Sequence, residues 1–84
     1  MWLSLRTCES GNNYRSVSFG GVYRGAYQFT QATWNSTTQA VAPLARLIGV
    51  DPSTAAPVDQ DTVAYTLYEL RGKAPWPTCS TALP

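Results

Sequence analysis

Two cysteines, Cys8 and Cys79, stand near opposite ends of a chain of 84 residues. Whether they are joined limits the possible folds more than any other feature. A chain this short buries only about 60–65% of the surface it exposes when unfolded, so its core supplies few net kcal/mol. A bond between the two cysteines would close a loop of about 70 residues, worth roughly 4 kcal/mol in the chain-entropy picture, and would point to an oxidising compartment. The alternative is a pair of buried free thiols in a reduced cell. At this length one domain is expected, spanning residues 1–84.

With 13% charged and 12% aromatic residues, the chain is the opposite of a disordered sequence. The net charge is +1 and its basic residues are scattered, which argues against nucleic acid or an anionic membrane as partner. No apolar run approaches the roughly 18 residues of a spanning helix. Arg6 and Glu9 interrupt any apolar core of a signal peptide, so an export signal is expected to lie outside this chain or another route to carry it.

Residues 2–9 read as a short helix, with Trp2, Leu5 and Cys8 as its buried stripe and Glu9 at the stripe's edge. Residues 10–21 (SGNNYRSVSFGG) are loop, with turn chemistry at Asn12-Asn13 and Gly20-Gly21. Residues 22–29 (VYRGAYQF) read as a short strand or hairpin arm. Strict alternation would put Tyr23 and Gln28 on opposite faces, so if both serve one cleft the backbone must break step, most simply at Gly25. Thr30 is an N-cap candidate for a helix from Gln31 to about Thr37–Thr38. Residues 39–50 are helical in tendency, interrupted at Pro43 and stopped at Gly49, and Asp51-Pro52-Ser53 is a turn. Pro57 suits the first position of the last helix, Asp59 and Asp61 its positive pole, and Gly72 its end. Its core stripe is Val63, Ala64, Leu67 and Leu70, flanked by Tyr65 and Tyr68. Pro75-Trp76-Pro77 is a rigid hook that carries Trp76 and Cys79 back toward the first helix.

The chain has no histidine, which removes Ser-His-Asp and Cys-His nucleophilic designs and most zinc sites, so no metal or other cofactor is expected. Of the five carboxylates, Asp51, Asp59, Asp61 and Glu69 are explained by capping and solvation. Glu9 differs. It ends a helix, where the negative pole opposes its charge, and it sits beside Cys8 and a Gly- and Asn-rich loop. A helix tail and aromatic surroundings both favour a protonated carboxyl, the state a general acid needs. Tyr14, Tyr23, Tyr27, Trp34 and Trp76 offer flat faces suited to sugar rings, although Trp2 and Trp34 read as core.

The order CESGNN, YRGAYQF, TQATW, PWPTC resembles the resuscitation-promoting factor family, small lysozyme-like domains of actinobacteria also called transglycosylase-like domains. The matching positions are Trp2, Cys8 to Gly11, Gly25, Gln28-Phe29, Thr33-Trp34, Trp76-Pro77 and Cys79. The resemblance implies an α+β, mostly helical, truncated lysozyme-like fold with a short β-hairpin beside the cleft, and a Cys8–Cys79 disulfide. It implies cleavage of the β-1,4 bond between the amino sugars of peptidoglycan, with Glu9 catalytic and Tyr23, Gln28, Thr33 and Trp76 lining the sugar cleft. It further implies a secreted, cell-wall or phage-borne monomer whose partner is the glycan strand. The chain departs from the family at Arg71-Gly72-Lys73, where Gln-Gly-Trp is usual; Arg71 there makes the cleft rim more basic. Two other classes stay open: a non-catalytic glycan-binding module on the same fold, and a reduced cytosolic helical adaptor.

Overall fold

The computed structural model describes all 84 residues, Met1–Pro84. Three α-helices carry the fold: α1 (Trp2–Ser10), α2 (Gln31–Ala40) and α3 (Pro57–Arg71). Two 3-10 segments, Ala42–Leu47 and Ser80–Ala82, complete it. This is the mostly helical, truncated lysozyme-like architecture that the resemblance implies, and no helix is long and apolar enough to cross a membrane.

Local chemistry sets the helix ends. Gly11 takes a left-handed φ of 69°, and the amides of Gly11 and Asn12 bond back to Thr7 O and Arg6 O, closing α1. Thr30 caps α2 by accepting from the Thr33 amide at 3.1 Å. α2 runs to Ala40, beyond the expected Thr38. Val41 then turns extended, and the chain resumes as a 3-10 segment with Pro43 in its first turn, where the missing N–H has no helical partner to lose. Pro57 opens α3 and Gly72 follows its last residue, as the sequence indicates.

The expected hairpin is pared down to two isolated antiparallel bridges, Val17 to Arg24 and Arg24 to Phe29. The chain reverses at Gly20-Gly21 and again at Gly25 through Gln28, too often for a ladder to grow. The first bridge is flanked by bonds from the Ser18 amide to Tyr23 O at 2.8 Å and from the Gly25 amide to Ser16 O at 2.7 Å, and the second is a reciprocal pair between Arg24 and Phe29, each 2.9 Å.

The core gathers Leu5, Tyr27, Phe29, Trp34, Val63, Ala64, Leu67 and Trp76, all nearly or fully buried. Trp34 meets Phe29 edge to face at 5.3 Å and donates its indole N–H to Leu47 O. Trp2, half-buried, stands against Tyr27, Tyr65, Tyr68 and Trp76. Two stripe positions come out differently from the sequence reading. Leu70 is 55% exposed, because the buried face of α3 runs Gln60, Val63, Ala64, Leu67 and stops. Cys8 is exposed as well, while its partner is buried. The Cys8–Cys79 disulfide, with Cα atoms 5.8 Å apart, therefore ties the tail over the outer side of α1.

Candidate active site

Glu9 lies in the last turn of α1, and its neighbours on that turn are tied down. Cys8 carries the disulfide. Ser10 Oγ donates to Ala26 O at 2.8 Å and accepts from the Asn13 amide. One turn back, Arg6 donates to Asn12 Oδ1 and Tyr27 Oη. These bonds join the end of α1 to the segment carrying Tyr27 and Gln28, so Glu9 and Gln28 hold a fixed relation.

The Glu9 carboxylate has no hydrogen-bond or ion-pair partner in the protein. It is half-buried, and desolvation pushes its pKa above the ordinary glutamate value. Asp51 and Asp59 are shifted the other way. Asp51 is lowered first by the Ser53 backbone amide, with the Ser53 hydroxyl and Arg24 adding to it; Asp59 is lowered by Arg46.

One cavity is lined by this carboxyl, and a second adjoins it. The first, about 550 Å³, is lined by Cys8, Glu9, Tyr23, Gln28, Pro75, Pro77, Thr78 and Cys79. The second, about 100 Å³, continues along Tyr23, Gln28, Thr30, Thr33, Arg71, Pro75 and Trp76, with Tyr27, Phe29 and Leu67 behind. Tyr23, Gln28 and Pro75 belong to both. Glu9 is the only carboxylate lining either cavity, and no group of three or more His, Cys, Asp or Glu is gathered that could hold a metal.

Glu9, Tyr23, Gln28, Thr33, Trp76 and Arg71 all border this pair of cavities, whereas Tyr14 and Trp34, also read as faces suited to a sugar, line neither. Tyr23 is 50% exposed, a usable face. Gln28 reaches the cleft because the backbone does break step: Gly25 has φ 82° and Gln28 itself φ 55°, an uncommon conformation for a residue with a side chain. Its Nε2 donates to Gly25 O, which leaves Oε1 free to accept. Thr33 lines the second cavity, with its hydroxyl accepting from Thr30 at 3.0 Å. Trp76 is only 2% exposed and donates to Tyr27 O, so it is a wall of the cleft and not an open stacking surface. Arg71 is exposed at the second cavity, and its side chain makes no hydrogen bond or ion pair within the protein.

Sequence reasoning missed the supports. Asp61 does not simply serve the helix pole. Its Oδ1 accepts from Tyr14 at 2.7 Å and Tyr27 at 2.6 Å and lies 3.6 Å from Arg6 Nη1. Arg6 also stands over both rings, 5.6 Å from the centroid of Tyr14 and 5.8 Å from that of Tyr27. Gln60, fully buried, accepts from the Ala26 amide and donates to Tyr14 O and Ala55 O. Its only sequence signal was its place three residues before Val63, on the buried face. Pro75 and Pro77, read as a hook, also wall the cleft.

The family described as transglycosylase-like domain matches residues 1–79. Resuscitation-promoting factor RpfD of Mycobacterium tuberculosis is 34% identical over 80 residues, covering 95% of this chain and 46% of RpfD. The probable transglycosylase SceD of Staphylococcus aureus is 41% identical over 70 residues, covering 83% of this chain and 28% of SceD. The chain thus spans less than half the length of these curated relatives.

Proposed function

The chain belongs to the transglycosylase-like domain family, and from that premise we propose that it cleaves peptidoglycan strands at the β-1,4 bond between amino sugars, with Glu9 as the single acid and base. The observation that carries the reading is the Glu9 carboxyl itself: unpaired, desolvated, raised in pKa, and facing a cavity that holds no other carboxylate.

Two-carboxylate glycosidases set their pair roughly 5–9 Å apart across the bond. With one carboxyl the substrate must supply the rest. Protonated Glu9 gives its proton to the glycosidic oxygen as the bond from that oxygen to C1 breaks. The acetamido oxygen of the sugar steadies the positive charge left at C1. Glu9, now a carboxylate, takes the proton of the C6 hydroxyl of the muramic sugar as that oxygen closes on C1. The products are a 1,6-anhydro end and a free strand, no water is consumed, and Glu9 ends protonated as it began. Attack by water in place of the C6 hydroxyl would give lysozyme-type hydrolysis. In this reading Gln28 Oε1, which has no partner in the protein, accepts from an N-acetyl N–H, Tyr23 offers a sugar a flat face, and Thr33, Trp76 and Arg71 bound the continuing groove.

The test is release of soluble muropeptides from purified peptidoglycan by the wild-type domain and by Glu9→Gln, with mass spectrometry of the ends. Release by wild type alone, with anhydro ends, is the expected result. Equal release by both proteins would end the role of Glu9, and reducing ends would turn the reaction into hydrolysis. Binding without release by either would make the domain a glycan-binding module.

A further inference from the structure

Arg71 is a cation facing a cavity with nothing to neutralise it. Arg6, Arg24 and Arg46 are each paired with a carboxylate, namely Asp61, Asp51 and Asp59. Arg15 and Lys73 are unpaired but line no cavity. Arg71 alone is both unpaired and cavity-lining, and the rest of that cavity is neutral. Its place in the last turn of α3 gives it a favourable dipole interaction, which explains a basic residue there but not one bordering the groove. Thr33 lines the same cavity, and its Oγ1 accepts from Thr30 and keeps its own proton to donate. Glu69, two residues before Arg71 on the same helix, lines neither cavity.

We propose that this second cavity is an anion subsite, in which Arg71 with Thr33 holds a carboxylate carried by the glycan strand. The inference rests on the glycan-cleaving reading above. A guanidinium presents a planar fork that matches a carboxylate in two parallel bonds, and the Thr33 hydroxyl adds a third donor. Because the two cavities share Tyr23, Gln28 and Pro75, a strand lying across both sets its anionic substituent on Arg71 while the bond to be cut lies at Glu9. The domain thereby selects carboxylate-bearing strands over neutral polysaccharides of the same backbone.

Binding to the Glu9→Gln protein, measured by calorimetry at two salt concentrations, separates this from catalysis. Four ligands are compared: peptide-bearing strands with free carboxylates, the same strands capped as methylamides, peptide-stripped strands that keep the lactyl carboxylate, and a neutral chito-oligosaccharide. Capping is expected to weaken binding roughly three- to tenfold, more so at low salt, and to make no difference in Glu9→Gln/Arg71→Gln. In the peptide-bearing strands the lactyl carboxyl is held in the amide to the peptide, so capping removes peptide carboxylates and stripping frees the lactyl one. Stripped strands that bind like the neutral oligosaccharide assign a peptide carboxylate as the ligand, and stripped strands that bind like the uncapped ones show that a carboxylate on the lactyl group satisfies the same subsite. Equal binding of capped and free strands overturns the anion subsite and leaves the glycan reading standing. A capping loss that persists in Glu9→Gln/Arg71→Gln overturns it too, since the carboxylate is then read elsewhere. No binding of any ligand ends both.

Discussion

Gly25 passes so close over Gln60 that a Cβ on the glycine would stand 2.5 Å from Gln60 Oε1 and 3.1 Å from Pro52 O. Gln60 cannot retreat, because that oxygen holds the Ala26 amide and its nitrogen holds Tyr14 O and Ala55 O. Gly25→Ala is therefore expected to combine the strain of a left-handed residue with a clash against a locked side chain. The loss should be about 3 kcal/mol or more, read as a lowered urea midpoint. A loss below about 1 kcal/mol would mean that the two segments can part freely.

Gln60→Leu tests the other side of the same contact. It is close to volume-conserving but leaves a buried amide and two carbonyls short of their partner, at about 2–4 kcal/mol in thermal unfolding. Because Gln60 ties Ala26 and Tyr14 to α3, glycan binding should weaken in the folded fraction as well.

Cys8 and Cys79 are 71 positions apart, and their bond is the longest-range covalent closure available to this chain. Cys8→Ser/Cys79→Ser should lose about 4 kcal/mol, which for so small a domain is much of its stability. A calorimetric scan should show a large drop in Tm; an unchanged Tm would mean that the tail docks through Trp76 and Leu83 alone.

What could be read beforehand was whatever depends on neighbours in sequence. The Thr30 cap, Pro57 at the head of α3, Gly72 at its end, and Glu9 beside Cys8 are all local chemistry, and they stand in the structure. What escaped depends on partners far along the chain. Asp61 looks like a helix-pole residue until Tyr14 and Tyr27, 47 and 34 positions away, turn their hydroxyls onto it. Leu70 has the right period for the core, but the helix stops before anything covers that face. Trp76 has the chemistry of a sugar platform, yet tertiary packing leaves it 2% exposed, as a wall of the second cavity.

The Asp61 cluster yields its own prediction. Asp61→Ala strands two tyrosine hydroxyls and leaves the half-buried Arg6 without its carboxylate, at about 2–3 kcal/mol. Asp61→Asn keeps an acceptor and should lose roughly half as much. Since Arg6 lies one turn before Glu9, the alanine variant should also lower kcat more than it raises KM on peptidoglycan. Loss of stability with unchanged kinetics of the folded protein would make the cluster a purely structural brace.

Glu9→Gln should move activity and stability in opposite directions. Removing a general acid costs about 10²- to 10⁴-fold in rate. Stability follows from the raised pKa, whose cause is desolvation of the charged form. Folding favours the protonated carboxyl, so the folded-state value lies above the unfolded one, and the wild-type protein binds the extra proton when folded. Its stability is then greatest below the unfolded glutamate value, falls as pH rises through the window between the two, and is fully diminished above the folded-state value. Glutamine carries no charge to desolvate. The Tm of Glu9→Gln should therefore match wild type in mild acid and exceed it at neutral pH, with the gap opening across the same window in which wild-type kcat falls as the acid loses its proton. Two melting series and one rate profile, over matched pH steps, measure this directly. A Tm gap that does not vary with pH would mean that solvent reaches Glu9 freely, and the case for it as the acid would fall with that result.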